Sequence, residues 1–104
     1  MSNFQSHTGI PLQNLFNEAL SSYQNGRLAE AENLCDRLLK ASPKSAPALE
    51  LQALISLSQK KFDLAVELYT RLIKLNPKLP KAFLNRGFAL KALGKIDLAI
   101  QNYD

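Results

Sequence analysis

Apolar residues recur along this chain every three or four positions, in short runs. Leu12, Leu15, Phe16, Ala19, Leu20 and Tyr23 form one run, and Leu28, Ala31, Leu34, Cys35, Leu38 and Leu39 the next. Such spacing gathers them on one side of a 3.6-residue helix. The runs come in pairs, broken by the polar stretches Asn25-Gly26-Arg27, Gln59-Lys60-Lys61 and Gly94-Lys95. Each pair therefore reads as two antiparallel amphipathic helices joined by a tight turn. First helices are predicted at 12–25, 46–59 and 80–93, second helices at 28–41, 62–75 and from 96 onward. Pro11, Pro47 and Pro80 stand where a first helical turn tolerates a missing N–H, and Pro43 and Pro77 come just after a helix must stop. Gly26 and Gly94 suit the left-handed residue that ends the first helix of a pair. Lys40, Lys74 and, slightly earlier, Arg37 and Arg71 fall in the last turns of second helices, where the helix dipole favours a cation.

The pairs repeat with a period of 34 residues. At that offset Leu15, Ala19, Leu20, Ser22, Ala31, Leu34, Arg37, Leu38, Lys40, Pro43 and Lys44 each meet an identical residue. The second and third units share Ala48/Ala82, Lys61/Lys95, Asp63/Asp97, Leu64/Leu98, Ala65/Ala99 and Tyr69/Tyr103. A period of this length marks stacked supersecondary units rather than a single closed core. The organisation expected is a flexible segment at 1–11 and three units at 12–45, 46–79 and 80–104, the last ending within its second helix. The fold class is all-α, an α-solenoid of stacked helix pairs.

Each unit carries a small residue in its first helix (Ala19, Ala53, Gly87), an Ala in its second (Ala31, Ala65, Ala99), a partner four residues on (Cys35, Tyr69, Tyr103) and, in the first two units, a closing Pro (Pro43, Pro77). This pattern resembles the tetratricopeptide repeat. The stretch 81–90, Lys-Ala-Phe-Leu-Asn-Arg-Gly-Phe-Ala-Leu, is the most similar to the family pattern. Ser22 and Ser56 stand where the family usually has an aromatic residue, and Leu38 and Leu72 where it has Ala. Independently of the resemblance, the small positions let the helices of a pair approach closely. Leu15, Leu49, Phe83, Leu38, Leu72, Ile73 and Tyr69 are expected to fill the seams.

Composition narrows the function. The chain has 104 residues, 46% hydrophobic and 21% charged, with a net charge of +4. Residues 1–36 carry one basic and four acidic residues, net −3, and residues 37–104 twelve and five, net +7. The positive excess is mild and lacks the clustered cations with interleaved aromatics of a nucleic-acid binder. Cys35 is the sole cysteine, so no internal disulfide or thiolate cage forms; it is expected as a small buried hydrophobe in a reducing compartment. The first residues have neither a basic nor an apolar signal region, and no run reaches the ~18 apolar residues of a membrane span. A cytoplasmic protein with no membrane partner is expected. His7 is the only imidazole, in the N-terminal segment, and no phosphate loop, H-E-x-x-H or dinucleotide fingerprint occurs. No catalytic residue, metal ligand or cofactor site is assigned. Glu30 and Glu32 point apart on a helix and read as a solvated face, and Lys60-Lys61 as an exposed turn.

In a solenoid of this kind the inner face comes from first-helix residues that turn away from the seam. Spacing selects Gln13, Phe16, Asn17, Leu20, Tyr23 and Gln24 in the first unit. The second unit supplies Glu50, Leu51, Leu54, Leu57 and Ser58, and the third Lys81, Leu84, Asn85, Phe88 and Lys91. Phe16, Leu20, Tyr23, Leu54, Leu57, Leu84 and Phe88 form a candidate apolar groove, with Asn17, Asn85 and Lys81 as its polar fixtures. Apolar side chains supply contact area, and an Asn amide both donates to and accepts from a peptide backbone. The expected activity is a protein-interaction scaffold that holds a peptide, a helix or a neighbouring domain.

The resemblance also brings two precedents. Members that clamp a peptide carboxylate use a Lys and an Asn on the first inner face; Phe16 and Leu20 occupy those places here. Lys81 matches a later clamp position, but Asn85 replaces the expected Arg. In arrays resembling those of O-linked N-acetylglucosamine transferases an Asn recurs once per repeat; Asn17 and Asn85 match and Leu51 interrupts. The alternative reading is accordingly an N-terminal targeting array of a larger glycosyltransferase-like or sulfotransferase-like enzyme. The third second-helix, from about 96 to Asp104, spans about nine residues, short of the ~12–15 that make an isolated helix even marginal. The chain is therefore expected to be part of a longer array, with an uncovered last face through which copies would associate.

Replacing Ala65 by Leu should overpack the seam and cost about 1–3 kcal/mol. Coincident thermal melts of the two proteins would exclude Ala65 from the contact.

Overall fold

The computed structural model describes residues 11–94 of the chain. Among them lie five helices and no strand: α1 (Leu12–Gln24), α2 (Leu28–Ala41), α3 (Ala46–Ser58), α4 (Phe62–Leu75) and α5 (Pro80–Ala92). Each packs against the next in sequence, so the helices form antiparallel pairs stacked in order. The expected second helix from 96 onward, with Ala99 and Tyr103, lies outside the described residues, as does the segment before Pro11.

Local chemistry sets the helix ends. Pro80 is the first residue of α5 and Pro47 the second of α3, where no N–H is missed. The Ser45 hydroxyl accepts the Ala48 amide at 3.3 Å and caps α3. Gly26 and Gly94 end α1 and α5 with φ of 78° and 80°. The Arg27 amide donates to the Ser22 carbonyl at 2.8 Å and the Gly26 amide to that of Tyr23 at 3.0 Å, closing the helix end in a Schellman motif. At the same place in the middle unit stands Lys60, with φ of 60°. Its turn repeats the motif, Lys61 donating to Ser56 at 2.8 Å and Lys60 to Leu57 at 3.0 Å.

Two apolar clusters form the interior. Leu15, Ala19, Ala31, Leu34, Cys35 and Leu38 pack with Ala48, Leu51 and Ile55 of α3. Leu49 and Ala53, from another side of α3, join Ala65, Leu68, Tyr69, Leu72, Ala82 and Ala89 in the second. α3 is thus buried on two sides and lacks the single apolar stripe of α2 and α4. Ala19, Ala53, Ala31 and Ala65 are each 0% exposed, as expected of close-approach positions, and Gly87 is buried as well.

Polar contacts tie the units together. The Lys61 ammonium lies 3.1 Å from the Glu32 carboxylate, and the Gln59 amide donates to the same group at 3.3 Å. The Lys61 hydrogen bond holds the Glu32 carboxyl below its ordinary value, against the opposing effect of burial. Glu32 is therefore a link between units, not the solvated residue its spacing suggests. Glu30 behaves differently and accepts from the Ser22 hydroxyl at 3.1 Å.

A left-handed non-glycine residue costs about 1–2 kcal/mol, of which glycine's greater freedom when unfolded returns about half. Lys60→Gly should accordingly raise stability by about 0.5–1 kcal/mol in urea titration. Gly26→Ala, at a φ no L-residue prefers, should lower it. A loss of stability in Lys60→Gly, or a gain in Gly26→Ala, would show that the turn is not the controlling feature.

Candidate functional site

α1 touches α3 directly, and no comparable contact joins α2 to α4. From the sequence, first helices are expected on the inner layer of the stack and second helices on the outer one, and the contact between α1 and α3 is in keeping with this. With a 34-residue period, the inner surface is ordered in three rows: Phe16, Glu50, Leu84; Leu20, Leu54, Phe88; and Tyr23, Leu57, Lys91. In each helix these residues are spaced by four and then three, the geometry of one continuous stripe.

The stripe is unevenly exposed. Leu84 and Phe88 leave 46% and 52% of their surface open. Phe16, Leu20 and Tyr23 are half-buried against the first cluster, and Leu57 against the second; Leu54 is half-buried too. Phe16 also borders a cavity of about 330 Å³ with Leu12, Gln13, Leu38 and Pro47. Glu50 and Lys81 line another of similar size beside Pro80. The Phe88 ring meets Phe62 edge-on at 6.2 Å and 70°, so the first residue of α4 forms part of the wall. Phe62 was absent from the spacing-based set because it belongs to a second helix. Its one signal is the Leu28/Phe62 match at the 34-residue offset.

Leu51 is a correction. Spacing placed it on the inner face, whereas it is 4% exposed within the first cluster. The reason lies sixteen residues earlier. Cys35 and Leu51 belong to the same apolar cluster, while at the equivalent place one unit on the Asn85 amide donates to the Tyr69 hydroxyl at 3.1 Å. An apolar residue matches the cysteine and an amide matches the phenol. The neighbouring position repeats the arrangement: the Gln52 amide donates to Asp36 at 2.8 Å, and the Arg86 guanidinium to the Thr70 hydroxyl at 3.0 Å. Asn85 thus spends a donor inside the protein, and Asn17 accepts from the Gln13 amide at 3.1 Å.

Arg86 lies over the Phe83 ring at 5.5 Å, and burial lowers its pKa. Burial pushes the Tyr69 phenol up to about 12, the Asn85 hydrogen bond acting in the opposite sense. Cys35 is free and fully buried, its thiol pushed up to about 12 by burial and then by the charge of Asp36. It is a packing residue, not a nucleophile. Among the described residues no group of three or more His, Cys, Asp or Glu is placed to hold a metal ion, and no helix is long and apolar enough to cross a membrane.

The tetratricopeptide repeat profile matches residues 16–80, and a second profile of that family matches residues 68–101. The chain belongs to the tetratricopeptide repeat family. No curated protein sequence matches it. Among solved structures it is similar to MamA, with 20% identity and a TM-score of 0.84 over 88% of this chain. The match covers 54% of MamA, so this chain spans about half that protein's length. The second repeat domain of Spaghetti (RPAP3), solved with an HSP90 peptide, matches with 24% identity and a TM-score of 0.84 over 97% of this chain and 93% of its own. A mutant O-GlcNAc transferase of Thermobaculum terrenum matches with 26% identity and a TM-score of 0.80, over 88% of this chain but 18% of its own. The shared feature is the helical-repeat fold.

Between pH 10.0, the ordinary phenol value, and about 12, Tyr69 keeps its proton when folded and loses it when unfolded. The unfolded state binds fewer protons, so stability should fall as pH rises through this window. In Tyr69→Phe that fall should shrink, and stability at neutral pH should drop by about 0.5–1.5 kcal/mol through loss of the Asn85 bond. Parallel stability–pH curves for the two proteins would contradict the burial of this phenol.

Proposed function

We propose that the inner face of α1, α3 and α5 binds a protein segment, making the chain a protein–protein interaction scaffold. Leu84 and Phe88 carry this reading. They stand one turn apart on α5, at the α5 end of two of the inner rows, and both are about half exposed. Complete burial of one such side chain is worth about 1.5–3 kcal/mol, so a partner's apolar residues gain most at these two positions. Tyr23, Leu20 and Leu54 extend the surface toward α1, and Lys81 and Lys91 place positive charge on the α5 part. Asn17 and the remaining capacity of Asn85 supply backbone hydrogen bonding. An extended peptide or an amphipathic helix fits this combination of area and sparse polar fixtures.

The second reading, a targeting array of a larger transferase, is favoured by the likeness to a part of the Thermobaculum terrenum enzyme. The burial of Leu51 and the internal bond of Asn85 weigh against an unbroken asparagine row as its basis.

Phe16 packs on the first cluster, so its truncation mixes stability with binding, and the exposed pair is the cleaner probe. Leu84→Ala with Phe88→Ala should keep the helical circular-dichroism signal and abolish binding of peptides selected from a displayed library on the wild-type protein. Selected peptides that bind the variant undiminished would remove the inner face from the function.

A further inference from the structure

At the end of the second unit remote from its Lys60 turn, the Pro43–Lys44 turn meets the last turn of α4. Between them lies a cavity of about 310 Å³ lined by Pro43, Lys44, Leu49, Arg71, Lys74 and Leu75. Leu49, 1% exposed, belongs to the second core cluster and gives the cavity an apolar wall. Leu75, the last residue of α4, is 43% exposed. Of the other four residues Pro43 is apolar and Lys44, Arg71 and Lys74 are cations. None of the six belongs to the three rows of the inner face, and three come from the outer helix α4.

Nothing described neutralises these cations. Lys61 has Glu32 at 3.1 Å, whereas Lys44, Arg71 and Lys74 have no carboxylate in ion-pairing range among the described residues, Glu67 one turn before Arg71 included. The α4 dipole accounts for Arg71 and Lys74, which lie near its C-terminus. It does not account for Lys44, which immediately precedes the Ser45 cap at the start of α3, where a cation is disfavoured. The start of α3 and the end of α4 meet at the cavity, so their opposed partial charges offset each other and leave the three full charges. Arg71 is also held in place: its Nη2 donates to the Pro43 carbonyl at 3.3 Å, which anchors the guanidinium and leaves its other donors available.

We propose that this cavity is a second binding site, separate from the inner face, for an acidic peptide segment carrying an aliphatic side chain. The aliphatic group enters between Leu49, Leu75 and Pro43. Carboxylates on either side of it pair with Lys44, Lys74 and the free donors of Arg71. The volume is at the low end of ligand pockets, matching one side chain with its flanking backbone. No aromatic residue lines the cavity to stack a base, so the mixture of aliphatic wall and cationic rim favours a peptide over a nucleic acid.

The test is fluorescence anisotropy with a labelled, end-blocked Gly-Glu-Glu-Leu-Asp-Glu-Gly peptide at low ionic strength. The wild-type protein should bind it. Lys44→Gln with Lys74→Gln should weaken binding roughly tenfold, the yield of two exposed charge pairs. Leu84→Ala with Phe88→Ala should leave it unchanged, which separates this site from the inner face. A peptide with Ser in place of Leu should bind several-fold more weakly. Backbone amide shifts on titration of the unmutated protein should centre on Lys44, Leu49, Arg71 and Leu75, independently of how any variant folds. Absence of binding, equal affinity of the lysine variant, equal affinity of the Ser peptide, or tighter binding of an oligouridine to the same residues would each overturn the assignment.

Discussion

The architecture depends on how closely the two helices of a pair approach. Ala19 and Ala31 in the first unit, and Ala53 and Ala65 in the second, are each fully buried, and a side chain larger than a methyl group at any of them would push the axes apart. With the axes held close, Leu34, Leu38, Leu68 and Leu72 project past the contact into the seams. The neighbouring unit then docks on a surface the pair has already shaped. The proposed inner face and outer cavity alike inherit their geometry from this spacing.

The middle unit pays for its position. α3 serves two clusters at once, with Ala48, Leu51 and Ile55 turned one way and Leu49 and Ala53 another. Even its polar residues are drawn inside: Gln52 bonds to Asp36, and the Ser56 hydroxyl donates to the Gln52 carbonyl at 2.9 Å. Little of α3 remains for a partner beyond Glu50, Leu54, Leu57 and Ser58. α5, by contrast, keeps Leu84 and Phe88 open. The inner face is accordingly asymmetric, with most of its accessible apolar surface on the third unit.

Helix boundaries were legible in the sequence to within a residue or two, because Pro punctuates every unit, Gly ends the first helix in the first and third, and the period carries the information to the second. Pairing and stacking order followed from the same period. Less was readable where residues of different units meet. The inner-face position of Leu51 was inferred from its own helix, yet it is buried in a cluster built with residues of α1 and α2, Cys35 among them. Glu32 looked solvated because its partners, Gln59 and Lys61, are 27 and 29 residues away. Phe62 joined the wall of the groove from a helix that periodicity assigns to the outside. The cavity beside Leu75 joins the turn before α3 to the end of α4, and the cations there each had a local description that concealed their common location.

The common apolar cluster of Cys35 and Leu51 at one junction, and the hydrogen bond between Asn85 and Tyr69 at the next, distinguish the two junctions. Each of the two described second helices, α2 and α4, is matched to the helix that follows it by the polarity of a single pair. Exchanging neighbours would set the Tyr69 phenol against Leu51, or the Asn85 amide against Cys35, and leave a hydrogen-bonding group facing sulfur or hydrocarbon. Units that look interchangeable in their helices thus differ in the polarity of this junction.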